Sequence, residues 1–372
     1  MTLINYLTRV HFADGVLEEA LRAEFGRNRK RRPLIVLDPA MEGAEATDRI
    51  RAGLPARSDP VFFRDRPKAP TEAEARRLAA VYEDMKCDVV VAYGGRATIE
   101  FAKVARLAVG VDGPLADAAR GPRAAPLPDL YAAPRLSGFA AALTAHGSFL
   151  SEDGERIVAA TRALIPTVAV FDPTLDLDAG AAESASAGAE ALLACVEPCL
   201  AGGYNPPADG IAFDGLRRAL ASLPRVMGGG GIADRREMAA AGLNGGLAQE
   251  KGLGAAYALA RALTDLSKAA PDGGAVARLV LPGVLRIGGG RGRDARRLAV
   301  RDLLSLSSKD CLAEGVEAFL RPLPLPERLS ALGVAPGELA AAAEAAARDL
   351  ERLRAPRAVA REDLYAVLDA VY

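Results

Sequence analysis

In the stretch CDVVVAYGG, residues 87–95, an unbroken apolar run from Val89 to Tyr93 is closed by two glycines. A strand with one wet face alternates apolar and polar residues; a run apolar at every position belongs in a sheet covered on both faces, which in practice means a parallel one. Working outward, PLIVLD at 33–38 repeats the pattern, ending on a polar turn. Between the two lies TEAEARRLAAVYEDM, 71–85, rich in alanine, acids and arginine with no glycine or proline, which predicts a helix. Strand, helix, strand and glycine turn form the opening of a doubly wound α/β domain. A further strand is expected at 167–171, closed by Asp172 and Pro173.

Past Leu177 the pattern changes. Residues 181–200, 209–223, 235–241, 254–266 and 337–353 all read as helices. At 372 residues the chain favours two domains over one. The expected division is an α/β, dinucleotide-binding-like domain over 1–178 and an all-helical domain over 179–372. The glycine-rich stretches at 228–231 and 288–292 read as connectors rather than phosphate loops, since no strand clearly precedes either.

Composition narrows the function. Hydrophobic residues make up 50% of the chain and charged ones 26%, and a net charge of -1 from nearly equal acids and bases gives no basic field for nucleic acid. Apolar runs such as 34–37 and 89–92 are far short of the roughly 20 residues needed to span a bilayer, and residues 1–10 lack a signal-peptide apolar region, so a soluble cytoplasmic protein is expected. Cys87, Cys195, Cys199 and Cys311 are scattered; Cys195 and Cys199 share a helix face by spacing, and apolar filling is the favoured reading over a disulfide or a metal site.

Particular words in a particular order carry a resemblance. INYLTRVHF (4–12), RPLIVLD (32–38), GGRATIEFAK (94–103), IPTVAVFDPTL (165–175), LSALGVAPGEL (329–339) and PRAVAREDLYAVL (356–368) together resemble the iron-containing alcohol dehydrogenase family, in its maleylacetate reductase and 4-hydroxybutyrate dehydrogenase-like branch. The resemblance implies an α/β Rossmann-like N-terminal domain followed by an all-α C-terminal domain, the dehydroquinate synthase-like fold. It also implies a nicotinamide cofactor, NAD, held by a GGGSxxDxAK turn. Here Gly94, Gly95, Ala102 and Lys103 match that turn, while Arg96, Ala97 and Glu100 replace its third glycine, serine and aspartate. Arg96 either pairs with phosphate or fills the space phosphate needs. Asp38 stands where family members often carry an acid for ribose hydroxyls; a turn-forming aspartate is the equal alternative. The expected cofactor contacts are Asp38, Gly94, Gly95, Arg96 and Thr98. YAAPRLSGF (131–139) falls where the family has PTTAGTGSE and keeps almost none of its hydroxyl residues.

The family holds Fe²⁺ or Zn²⁺ with one aspartate and three histidines. By the same resemblance those positions are Glu190, Ala194, Tyr257 and Asp272, so neither iron nor zinc is expected. A further family histidine tied to proton transfer is matched by Arg261. The chain's two histidines, His11 and His146, both lie in the N-terminal half.

Three functions follow as expectations. The first is a metal-independent reductase, with Tyr257 or Lys103 polarising a carbonyl in the cleft between the halves. The second is a non-catalytic relative or regulatory subunit of an active homologue. The third is a repurposed cleft for an anionic small molecule, with Arg96, Arg135 and Arg261 as anchors and Glu190 or Asp272 as acid or base. A homodimer is expected from the family's habit.

Overall fold

The computed structural model describes residues 6, 8–38, 43–64, 70–121, 126–252, 254–289, 294–307, 309–352 and 359–372. They divide into two compact units, Tyr6–Leu177 and Asp178–Tyr372.

The first unit is built on a six-stranded sheet in the order β1-β8-β5-β4-β2-β3, every neighbouring pair parallel. Its strands are β1 (Arg9–Phe12), β2 (Pro33–Leu37), β3 (Val61–Phe63), β4 (Val89–Gly94), β5 (Leu130–Pro134) and β8 (Val168–Phe171). β2, β4, β5 and β8 are buried at every residue, as their unbroken apolar runs require. Helices α1 (Leu17–Asn28), α2 (Ala44–Gly53), α3 (Glu72–Asp84), α4 (Arg96–Ala108) and α5 (Leu115–Arg120) make the crossovers. The Thr71 hydroxyl accepts the Glu74 amide at 3.2 Å and caps α3, which is why that helix begins where its sequence turns acidic. The sequence pattern did not mark the antiparallel hairpin of β6 (His146–Leu150) and β7 (Arg156–Ala160).

The second unit is helical: α6 (Ala181–Leu200), α7 (Pro206–Met227), α8 (Ile232–Ala248), α9 (Ala255–Leu266), α10 (Gly273–Ile287), α11 (Ala295–Leu303), α12 (Leu312–Leu320), α13 (Glu338–Arg352) and α14 (Arg361–Asp369). Two of the helices expected here run longer than their sequence pattern. α7 gains a first turn because Asn205 caps it, its side chain accepting the Ala208 amide at 3.2 Å, with Pro206 in the first helical position where a missing amide costs nothing. α8 continues to Ala248 through Gly242, Gly245 and Gly246, because those glycines are buried and let helices approach. A Cβ on Gly245 would lie 2.8 Å from the Ala194 Cβ, and one on Gly215 2.7 Å from Cys195 Sγ. Residues 228–231 connect α7 to α8. Residues 290–292 of the other glycine-rich stretch lie outside the described residues. No helix among the described residues is long and apolar enough to cross a membrane.

Candidate functional site

Within the α/β unit the chain leaves β2 toward β3 on one side and leaves β4 toward β5 on the other, so the β2–β4 boundary is a topological switch point. In open parallel sheets a crevice opens there, at the carboxyl ends of the strands. Asp38 directly follows β2, Gly94 ends β4, and Gly95 is the N-cap of α4. The Thr98 hydroxyl donates to Asp38 Oδ2 at 3.0 Å. Gly94 has φ +149, and a Cβ there would fall 2.6 Å from the Asp38 Cβ and 2.9 Å from Thr98 Oγ1. Only glycine fits. No side chain caps the start of α4, which leaves first-turn amides, at the positive end of the helix dipole, for an anionic group.

Asp38, Gly94, Gly95 and Thr98 are thus brought together. Arg96 lies on the first turn of α4 and forms an ion pair with Glu100, one turn on, at 3.5 Å. Both side chains are largely buried. Lys103, also on α4, points into the fold. It is fully buried, and its ammonium donates to the Thr144 carbonyl at 2.7 Å, the Thr144 hydroxyl at 3.1 Å and the His146 carbonyl at 3.4 Å. Those bonds tie α4 to β6 and enclose the ammonium. Lys103→Met, which leaves the acceptors unmatched, is expected to cost about 2 kcal/mol in urea denaturation.

The three arginines read as anchors for an anion are each committed within their own unit. Arg96 pairs with Glu100, Arg135 with Asp176 at 3.2 Å, and Arg261 with Asp265 at 3.5 Å. Burial alongside a carboxylate cancels the charge an anion would need.

In the helical unit Glu190 and Ala194 sit four residues apart on α6, Tyr257 is on the first turn of α9, and Asp272 is the N-cap of α10. Asp272 accepts the Ala275 amide at 2.8 Å and the Ser186 hydroxyl at 2.5 Å, so its carboxylate holds α10 against α6. An iron or zinc site needs three or four N, O or S donors converging on one point. Ala194 offers none, and among the described residues no group of three or more His, Cys, Asp or Glu side chains is placed to share an ion. Burial pushes the Cys195 and Cys199 thiols well above their ordinary range, in keeping with apolar filling.

The sequence pattern passed over Glu197. Its carboxylate accepts the amides of Ala256 at 2.7 Å and Tyr257 at 3.2 Å, with Gly254 also donating, so a side chain from α6 plugs the first turn of α9 and fixes the backbone beneath Tyr257. A Cβ on Gly254 would lie 2.6 Å from Glu197 Oε2. The available signal was a lone acid within the apolar run ALLACVEPCL, 191–200.

A family model described as iron-containing alcohol dehydrogenase matches residues 8–173, and the model of that family's C-terminal region matches 184–372. The 4-hydroxybutyrate dehydrogenase of Cupriavidus necator is 33% identical over 349 residues, covering 90% of both chains. The 1,3-propanediol dehydrogenase of Klebsiella pneumoniae is 27% identical over 309 residues, covering 80% of this chain and 79% of its own. Among solved structures, the sulfoacetaldehyde reductase of Bifidobacterium kashiwanohense, in complex with NAD+, superposes with a TM-score of 0.82 at 18% identity, covering 100% of this chain and 98% of that one. The maleylacetate reductase of Agrobacterium tumefaciens gives 0.76 at 19% identity, covering 100% and 99%.

Proposed function

The chain belongs to the iron-containing alcohol dehydrogenase family, a family of oxidoreductases, and from that premise we propose that it is an NAD(H)-dependent enzyme interconverting a small alcohol and its carbonyl without iron or zinc. The observation that carries the reading is the meeting of Asp38, Gly94, Gly95 and Thr98 at the switch point of the sheet. The amides opening α4 receive the pyrophosphate, and the Asp38 carboxylate accepts a ribose hydroxyl and repels a 2′-phosphate, which favours NAD over NADP. Bound NADH supplies the hydride; the protein must still direct a hydrogen bond, and then a proton, to the carbonyl oxygen. With Lys103 enclosed and Asp272 capping a helix, we assign that part to the Tyr257 phenol, half-buried on the first turn of α9. The donor set at Glu190, Ala194, Tyr257 and Asp272 supports the metal-independent part of this reading. 4-Hydroxybutyrate and 1,3-propanediol, named in the relatives' activities, are the first substrates to assay.

The test is calorimetric titration of chelator-treated protein with NADH and NADPH, followed by turnover of those substrates. We expect NADH to bind in preference to NADPH, Asp38→Ala to narrow that preference, and Tyr257→Phe to lower kcat about 100-fold with cofactor affinity kept. Absence of NADH binding at millimolar concentration overturns the proposal. Binding without turnover favours a non-catalytic subunit of an active homologue, the reading supported by the unsuited donor set. We further propose a homodimer, testable by sedimentation.

A further inference from the structure

The helical unit holds a cavity remote from Tyr257 and Asp272 along the chain. A cavity of about 460 Å³ lies at the far end of α10, among α10, α12, the segment 321–328 and the residues following α14. Arg278, Arg286, Arg321 and Arg328 line it, with only Glu317 and Glu327 to oppose them. Arg278 is about 1.7 turns along α10 from the Asp272 cap and Arg286 nearly four, a rise of roughly 9 and 21 Å, so the cavity is separate from the α10 N-terminus.

Arg278 forms its base. The residue is 8% exposed, and its guanidinium donates to four backbone carbonyls: Leu320 at 3.2 Å, Arg321 at 3.2 Å, Leu325 at 3.1 Å and Pro326 at 2.7 Å. Carbonyls satisfy its hydrogens but do not cancel its charge. The carboxylate paired with it, Glu327, is 3.9 Å away on a side chain 83% exposed, where water screens the attraction. At the rim, Glu317 is spent on Arg286 and lies 3.9 Å from Arg321. Arg328 has no ion pair or hydrogen bond among the described residues. A buried guanidinium held in place by backbone, with exposed arginines at the rim, makes a concave site of net positive charge and of the size that takes a small metabolite.

We propose that this cavity binds a small molecule bearing two or more oxyanion charges, of the phosphate or carboxylate kind, between Arg321 and Arg328 above the charge of Arg278. Such a site binds independently of the nicotinamide cofactor and of turnover, as an effector site does.

The probes are pyrophosphate and citrate, each titrated calorimetrically into the full chain at low ionic strength. Saturable binding of either, weakened at least about tenfold in Arg321→Ala/Arg328→Ala, is the expected result, and a tenfold loss corresponds to about 1.4 kcal/mol. Which probe binds separates the phosphate source from the carboxylate source. Both substituted side chains are exposed, so the variant retains its fold; Arg328→Glu, a charge reversal at the rim, provides an independent second variant that should also weaken binding. Absence of saturable heat from both probes at millimolar concentration overturns the proposal. So does binding that both variants leave unchanged, since the anion then sits elsewhere.

Discussion

Gly274→Ala is expected to lower the stability of the helical unit by about 3 kcal/mol, the upper end of what overpacking costs. A glycine in a helix ordinarily gains about 0.5–1 kcal/mol when replaced by alanine, because the unfolded chain loses freedom. Here the added Cβ would lie 2.5 Å from the carbonyl carbon of Ser186, and backbone cannot swing aside as a side-chain tip can. α10 and α6 must part, and the Ser186 hydroxyl to Asp272 bond at 2.5 Å goes with them. Gly210→Ala in α7 is the matched control. Nothing lies within 4 Å of its Cβ, so the same substitution should stabilise. Urea midpoints of the two variants should move in opposite directions; equal shifts would mean that the α6–α10 contact is looser than described.

The second large effect is on pH dependence. Burial raises the Glu197 carboxyl from its ordinary 4.5 to about 7, against the opposing pull of the Ala256, Tyr257 and Gly254 amides that favour its charged form. A carboxyl raised in the folded state holds its proton after the unfolded chain has released it. Its contribution to stability is therefore fully present below about 4.5 and is lost as pH rises through about 7. The difference amounts to about 3 kcal/mol across that window. Glu197→Gln cannot ionise and should flatten the window. Denaturation of both proteins at pH 5 and pH 8 isolates the group, because every other titration is common to the two. If the variant keeps the wild-type slope, Glu197 is ionised throughout and the amides of α9 dominate over burial.

The two strands that opened the reading, PLIVLD and CDVVVAYGG, were legible because a parallel strand buried on both faces needs no partner to look apolar. Helix α6 was legible to its last residue for a similar reason, its apolar content running nearly all round the helix. The β6–β7 hairpin was not. Its strands HGSFL and RIVAA are short, mixed in polarity and set by their pairing with each other, which no local pattern states.

The candidate site divides in the same way. Asp38 and the Gly94–Gly95 turn were named through the family resemblance, and both lie at the carboxyl ends of strands, where a ligand at a switch point meets the sheet. What Lys103, Asp272, Arg96, Arg135 and Arg261 do could not, since a charged side chain takes its role from what faces it. The sequence places an ammonium on α4, but only the packing of β6 against that helix encloses it beneath the Thr144 and His146 carbonyls. The sequence places a carboxylate before α10, but only the nearness of Ser186 makes it a cap that joins two helices. Residue type and order were enough to read the layered α/β unit, the helical unit and the family, because these depend on local pattern and on words in sequence. The tertiary structure alone decided which charges are spent within the fold and which face a cavity, because electrostatic roles depend on distance and burial between residues far apart in the chain.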